Sequence, residues 1–133
     1  MKVIRELEIN GCWELQLFIF SDDRGVFVKP WHTNDLKRLG LDFEVKEVFW
    51  SISKHGTIRG MHFQEPPHAH CKFVQCQQGR IMDVLLDLRK DSCTYGQSVS
   101  LTLSGDEANT VYIPEGIAHG FQSMSESSQV LYF

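Results

Sequence analysis

Apolar and polar residues alternate along most of this chain in short bursts. Val99, Leu101 and Leu103 set against Ser98, Ser100 and Thr102 form the clearest case, a half-exposed strand. Val3 to Glu8 and Cys12 to Phe20 read as partly alternating segments joined by the turn-forming pair Asn10-Gly11. Ser21 to Gly25 is a polar turn into Val26-Phe27-Val28, and Pro30 limits that strand. From Phe43 the period of two predicts a strand in which Val45, Glu47 and Phe49 oppose Lys46, Val48 and Trp50. Ile81 to Leu88 is a near-continuous apolar run expected deep in a sheet. Val111-Tyr112-Ile113, Ile117 to Phe121 and Gln129 to Phe133 complete the series.

One segment keeps a helical spacing. Thr33 or Asn34 can cap it, Asp35 suits its first turn, Leu36 and Leu39 lie three apart, and Gly40 can end it. About ten short strands, with turn signals roughly every eight to twelve residues and one short helix, predict an all-β antiparallel sandwich or barrel. The expected organisation is a single domain over 1–133.

Composition narrows the class. With 133 residues, 42% hydrophobic and 23% charged, the chain can bury a core without disulfides or metal. No apolar run is long enough to span a bilayer, and Met1 to Glu8 interrupts its apolar residues with charge, unlike a secretory signal. Cys12, Cys71, Cys76 and Cys93 have no metal-like spacing and read as small strand hydrophobes, which fits a reducing cytoplasm. A formal net charge of −4 argues against nonspecific nucleic-acid binding. A small anionic ligand remains compatible if Arg24, Lys29, Arg59 and Lys72 hold it locally.

The candidate chemistry concentrates in Gly56 to Lys72, where His62, His68, His70, Arg59 and Lys72 lie among apolar residues in two expected strands joined at Pro66-Pro67. Strict alternation puts Ile58, Gly60 and His62 on one face and Arg59, Met61 and Phe63 on the other; it also points His68, His70 and Lys72 the same way. Asp83 interrupts the apolar run of 81–88. If buried it requires a partner, with Lys72 or a histidine the candidate; otherwise it faces solvent at a strand end. In a barrel, His62, Lys72 and His119 would line the interior.

Several of these pieces occur jointly in a known pattern: Asp22 to Phe27, the Arg59-Gly60-Met61-His62-Phe63-Gln64 core, Pro66 to Ala69, Lys72, Gly79 to Val84, Asp87-Leu88-Arg89, Ser92, Thr94-Tyr95-Gly96, Ile113 to Phe121, and Tyr132. Together they resemble the dTDP-4-dehydrorhamnose 3,5-epimerase family of double-stranded β-helix (cupin, jelly-roll) proteins. The resemblance implies an isomerase that epimerises a nucleotide-linked 4-keto-6-deoxy sugar without metal or organic cofactor. His62 would be the base that removes the proton α to the ketone, Tyr132 the acid on the opposite face, and Lys72 the enolate stabiliser. Arg24, Phe27, Arg59 and His119 would contact the substrate, as would Lys29 and Glu47, which with Phe49 stand where the family usually has glutamate, glutamine and asparagine. The sequence ends at Phe133, whereas such proteins usually continue through a segment bearing a base-stacking aromatic and a carboxylate paired with the catalytic histidine. The resemblance is therefore to a C-terminally short member, in which Asp83 is expected to orient His62. A dTDP-sugar ligand and a homodimer are implied, the latter also by exposed strand edges.

Other readings are a metal-dependent cupin using His68, His70 and His119, a noncatalytic sugar-nucleotide-binding barrel, and an enzyme acting at one carbon or isomerising the ketone. Trp13, Trp31 and Trp50 read as packing or interface residues, and His32 and His55 as exposed loop residues.

Overall fold

The computed structural model describes residues 1–41 and 43–133. Its strands are β1 (Lys2–Glu6), β2 (Trp13–Gln16), β3 (Phe18–Asp22), β4 (Gly25–Lys29), β5 (Phe49–Lys54), β6 (Ile58–His62), β7 (Lys72–Gln78), β8 (Arg80–Asp87), β9 (Ser98–Ser104), β10 (Asn109–Ile113), β11 (Ile117–Ser123) and β12 (Ser127–Tyr132), with helix α1 at Thr33–Arg38. A six-stranded sheet in the order β1-β2-β10-β7-β12-β5 faces a four-stranded sheet in the order β6-β11-β8-β9, and all pairings are antiparallel. From β5 to β7, and again from β9 to β12, the chain changes sheet at every connection. Glycines in left-handed conformation serve such corners, Gly79 at φ +78° between β7 and β8 and Gly116 at φ +78° between β10 and β11.

The two inner faces share one core. Val74, Cys76, Val111, Ile113 and Val130 of the larger sheet meet Ile81, Leu85, Leu101, Leu103, Ile117 and Phe121 of the smaller. Each fully buried large aliphatic residue among them stabilises the fold by about 1.5–3 kcal/mol. β8 alternates buried and more exposed positions, so its apolar run packs on one face while Met82 looks outward. A second cluster covers the outer face of the larger sheet, where Leu36 of α1 docks on Leu15, Phe73 and Tyr112 beside Trp31, Phe43 and Phe133.

Three local expectations change. His32, not Thr33 or Asn34, is the N-cap residue of α1, and it makes no side-chain cap bond; its Nδ1 instead lies 3.0 Å from Asp35. Residues 43–48 alternate but form no strand: Phe49 pairs with Tyr132 on the last rung of the β12 ladder, and among the described residues no strand pairs with 43–48. Residues 68–71 are loop, not strand, so His68 and His70 do not share a strand face with Lys72.

One end of the sandwich is pinned by Asp87. Its buried carboxylate accepts hydrogen bonds from Arg89 Nε at 2.9 Å and Nη2 at 2.7 Å, and from the hydroxyls of Ser92 and Thr94 at 2.7 Å each. Arg89 also donates to the Asn10 carbonyl, tying the 88–97 loop to the turn that opens β2. These donors hold the Asp87 carboxyl well below the ordinary carboxylate range. The β3–β4 hairpin stands apart: among the described residues its strands are hydrogen-bonded to neither main sheet, and Phe18, Phe20, Val26 and Phe27 are exposed on it.

Candidate active site

The opposite edge of the sandwich, where β5 and β6 run as edge strands, is open. Here the two sheets carry charged and aromatic side chains close to one another. On β6, Arg59 pairs with Phe121 and His62 with His119, so three residues of β6 span two of β11. The extra residue is a β-bulge, and it turns Arg59 and His62 to the same inner face, contrary to strict alternation. Glycines make the bulge possible. Gly60 has φ +123°, and a Cβ there would lie 2.5 Å from Gly120 Cα and 2.8 Å from the His119 carbonyl oxygen. No side chain fits between two backbones that close.

Arg59 reaches across to β5, its Nε donating to Ser53 Oγ at 3.0 Å. Residues 63–71 then carry the chain from the smaller sheet to the larger, so His62 and Lys72 occupy the two ends of a crossing loop. Lys72 Nζ donates to the His62 backbone carbonyl at 3.1 Å. An ammonium has three donors, so two remain for a ligand. Burial lowers the Lys72 pKa.

Next to β6, Asp83 of β8 and His119 of β11 are both buried and joined, His119 Nε2 to Asp83 Oδ1 at 2.7 Å. Burial raises the Asp83 carboxyl pKa, and His119 opposes the rise. Asp83 is therefore the partner of His119, not of His62 as the sequence suggested, because the β8–β11 register sets Asp83 one diagonal step from His119. From the larger sheet Tyr132 projects inward, its ring 6.2 Å from that of His119 and edge-on to it. Burial raises its phenol pKa, while the nearby Ser51 hydroxyl and Arg59 pull the other way.

Arg59, His62, Lys72, Asp83, His119 and Tyr132 thus belong to one place. Arg59 and Lys72 bring positive charge to it in a chain of net charge −4, while the Asp83 carboxyl is engaged by His119. The other candidates stand elsewhere in the chain. Arg24 and Phe27 are exposed on the β3–β4 hairpin, Arg24 pairing with Asp22 at 2.6 Å, and Lys29 lies 5.5 Å over the Phe18 ring. Glu47 is exposed in the irregular segment before β5. The sequence reading missed Ser53 as the Arg59 partner and Phe49 as the neighbour of Tyr132. The small polar residues Ser51 and Ser53 at alternate positions were the available signal.

The metal-binding alternative finds no support in the ligand positions. His70 Nδ1 lies 3.2 Å from the His68 carbonyl oxygen, His119 is held by Asp83, and no three His, Cys, Asp or Glu among the described residues converge to hold an ion. Also among the described residues, no helix is long and apolar enough to cross a membrane.

Fold and site together define a cupin-like antiparallel β-sandwich whose open edge carries an imidazole, an ammonium and a phenol. The sequence model of the dTDP-4-dehydrorhamnose 3,5-epimerase family matches residues 6–133, and the chain belongs to that family. It is 38% identical over 130 residues to the dTDP-4-dehydrorhamnose 3,5-epimerase of Mycobacterium tuberculosis, an alignment covering 96% of this chain and 64% of the relative. The crystal structure of the Bacillus anthracis enzyme of that name, with TDP and PPi bound, superposes with a TM-score of 0.94 at 39% identity, covering 98% of this chain and 75% of that one. The Legionella pneumophila dTDP-6-deoxy-D-glucose-3,5-epimerase, in complex with dTDP-4-keto-L-rhamnose, gives 0.90 at 31% identity over 95% and 67% of the two chains.

Proposed function

We propose that this chain is a cofactor-independent epimerase of a nucleotide-linked 4-keto-6-deoxy sugar, with a dTDP-sugar the favoured substrate. What supports the reading is a run of neighbouring contacts: Lys72 Nζ meets the His62 carbonyl, His62 is paired with His119 across β6 and β11, and the Tyr132 ring lies against that of His119, with His62 and Tyr132 carried on opposite sheets. The His62 imidazole takes the proton from a carbon next to the ketone. The bonding electrons move to the ketone oxygen, and the Lys72 ammonium holds the enolate so formed. Tyr132 gives its phenolic proton to the other face of the carbon, the ketone re-forms, and the imidazolium and phenolate return to their starting states through solvent. Its raised phenol pKa keeps Tyr132 protonated for this step.

Arg59 suits the pyrophosphate of the ligand, and His119, held by Asp83, contacts the sugar. The chain assembles as a homodimer in this reading, with the exposed apolar hairpin and the outer face of β5, where Trp50 and Ile52 are exposed, as the contact surface. Arg24, Phe27 and Lys29 would then contact the ligand held by the second protomer, and Glu47 the ligand at the edge of β5. The four free cysteines support a cytoplasmic location.

The test is deuterium uptake from D2O, followed by NMR, at C3 and C5 of several nucleotide-linked 4-keto-6-deoxy sugars. Uptake at both carbons with inversion supports a 3,5-epimerase and uptake at one a single-site enzyme; a noncatalytic binder takes up none. Sedimentation equilibrium checks the dimer, which the double substitution Trp50→Glu and Ile52→Glu should dissociate.

A further inference from the structure

The feature of the site that its proposed chemistry leaves unused is Phe49. It opens β5 directly across the ladder from Tyr132, and the two rings stack with centroids 4.7 Å apart and planes 13° from parallel. The edge-on His119 ring also lies against Tyr132. The Tyr132 ring thus contacts both a flat apolar ring and an imidazole that Asp83 in turn fixes. Phe49 itself remains 49% exposed at the end of an edge strand, so it contributes little to the core.

We propose that Phe49 is the positioning residue that fixes the Tyr132 phenol as a proton donor and so sets how often a deprotonated substrate is inverted and not merely exchanged. The inference rests on the epimerase reading. An enolate between His62 and Tyr132 has two fates. His62 can return a proton, solvent-exchanged in the meantime, to the face it came from, leaving the configuration unchanged. Tyr132 can deliver its proton to the other face and invert the carbon. Only the second fate depends on where the phenol stands, and a displacement near 1 Å can slow such a transfer by as much as about a hundredfold. Without the Phe49 face, Tyr132 can turn about its side-chain torsions toward the open edge, and return by His62 gains.

The experiment follows, in D2O, both deuterium entering unreacted substrate and deuterium in the inverted product. Phe49→Ala should lower inversion by about tenfold while exchange into substrate stays within about twofold of wild type. Phe49→Tyr, which keeps a stacking face, should restore the wild-type ratio; Phe49→Leu, which keeps bulk without the flat face, should not. A merely structural role would lower both rates together. A 19F NMR signal from 3-fluorotyrosine placed at position 132 gives a second readout, which should narrow and move toward the free-tyrosine shift in Phe49→Ala. If wild type inverts and Phe49→Ala keeps the same inversion-to-exchange ratio, the inference is wrong and the epimerase reading stands. If wild type neither exchanges nor inverts any substrate offered, the epimerase reading fails, and a fluorine signal unchanged in Phe49→Ala would also remove the positioning role.

Discussion

His119 and Asp83 form a buried pair, 2.7 Å apart on neighbouring strands β11 and β8, beside the Tyr132 ring. Because the carboxylate holds His119, its removal acts on ligand contact and not on the base. Asp83→Asn, which retains an acceptor oxygen, is expected to raise KM about tenfold while deuterium exchange at saturating substrate changes little. Asp83→Ala leaves a buried imidazole nitrogen without a partner and should cost about 3 kcal/mol in urea denaturation. Loss of exchange at saturation in Asp83→Asn would instead tie Asp83 to His62.

Lys72 predicts the alkaline side of the activity profile. Burial favours its uncharged form, so it loses its proton below the ordinary lysine value of about 10.4. Tyr132 shifts the opposite way and keeps its proton through the same range. kcat/KM should therefore fall at a pH below that of a free lysine. In Lys72→Arg, which does not deprotonate, the fall should disappear from the accessible range, at a reduced plateau. A limb that persists unmoved in the arginine variant would assign it to another group.

Gly60→Ala should cost about 2–4 kcal/mol, because a methyl group there meets the backbone of Gly120 in a conformation side chains rarely adopt. Gly40 is the control: it is also left-handed, at φ +72°, but a Cβ there meets nothing within 4 Å, so Gly40→Ala should cost only about 1–2 kcal/mol. Thermal and urea unfolding separate the two. Equal losses would mean the tight approach at the bulge is easily relieved.

Asp87 makes stability depend on acid. Its folded-state pKa is depressed, so its contribution is fully present above the unfolded value of about 3.9 and is lost as pH falls toward the folded value. Asp87→Asn should cost about 2–3 kcal/mol at pH 7, and the gap between variant and wild type should narrow steadily below about pH 4. A gap independent of pH would show that the hydrogen bonds matter and the charge does not.

The turn signals made the sandwich legible. Asn10-Gly11, Gln78-Gly79 and Glu115-Gly116 each sit where the chain reverses between strands. His62 and Lys72 were legible as a cluster because few residues separate them. Family resemblance joined Arg59 to them, but alternation alone put it on the other face of β6, since that alternation is broken by a bulge that depends on Gly120, far along the chain. The partner of Asp83 was hidden for a related reason: it follows from the β8–β11 register, which no local pattern encodes. Residues 43–48 mislead in the other direction, since alternation needs a hydrogen-bonding neighbour to become a strand.

The loop 63–71 has a further meaning. Because it begins at the proposed base and ends at the proposed electrophile, the span between those groups is set by the contour of one short tether, latched where Lys72 Nζ meets the His62 carbonyl. Lengthening or trimming that tether by a residue would alter the reach of the reaction without touching any group that performs it. Insertions there are thus a route by which evolution or design could retune this scaffold for a ring of different size.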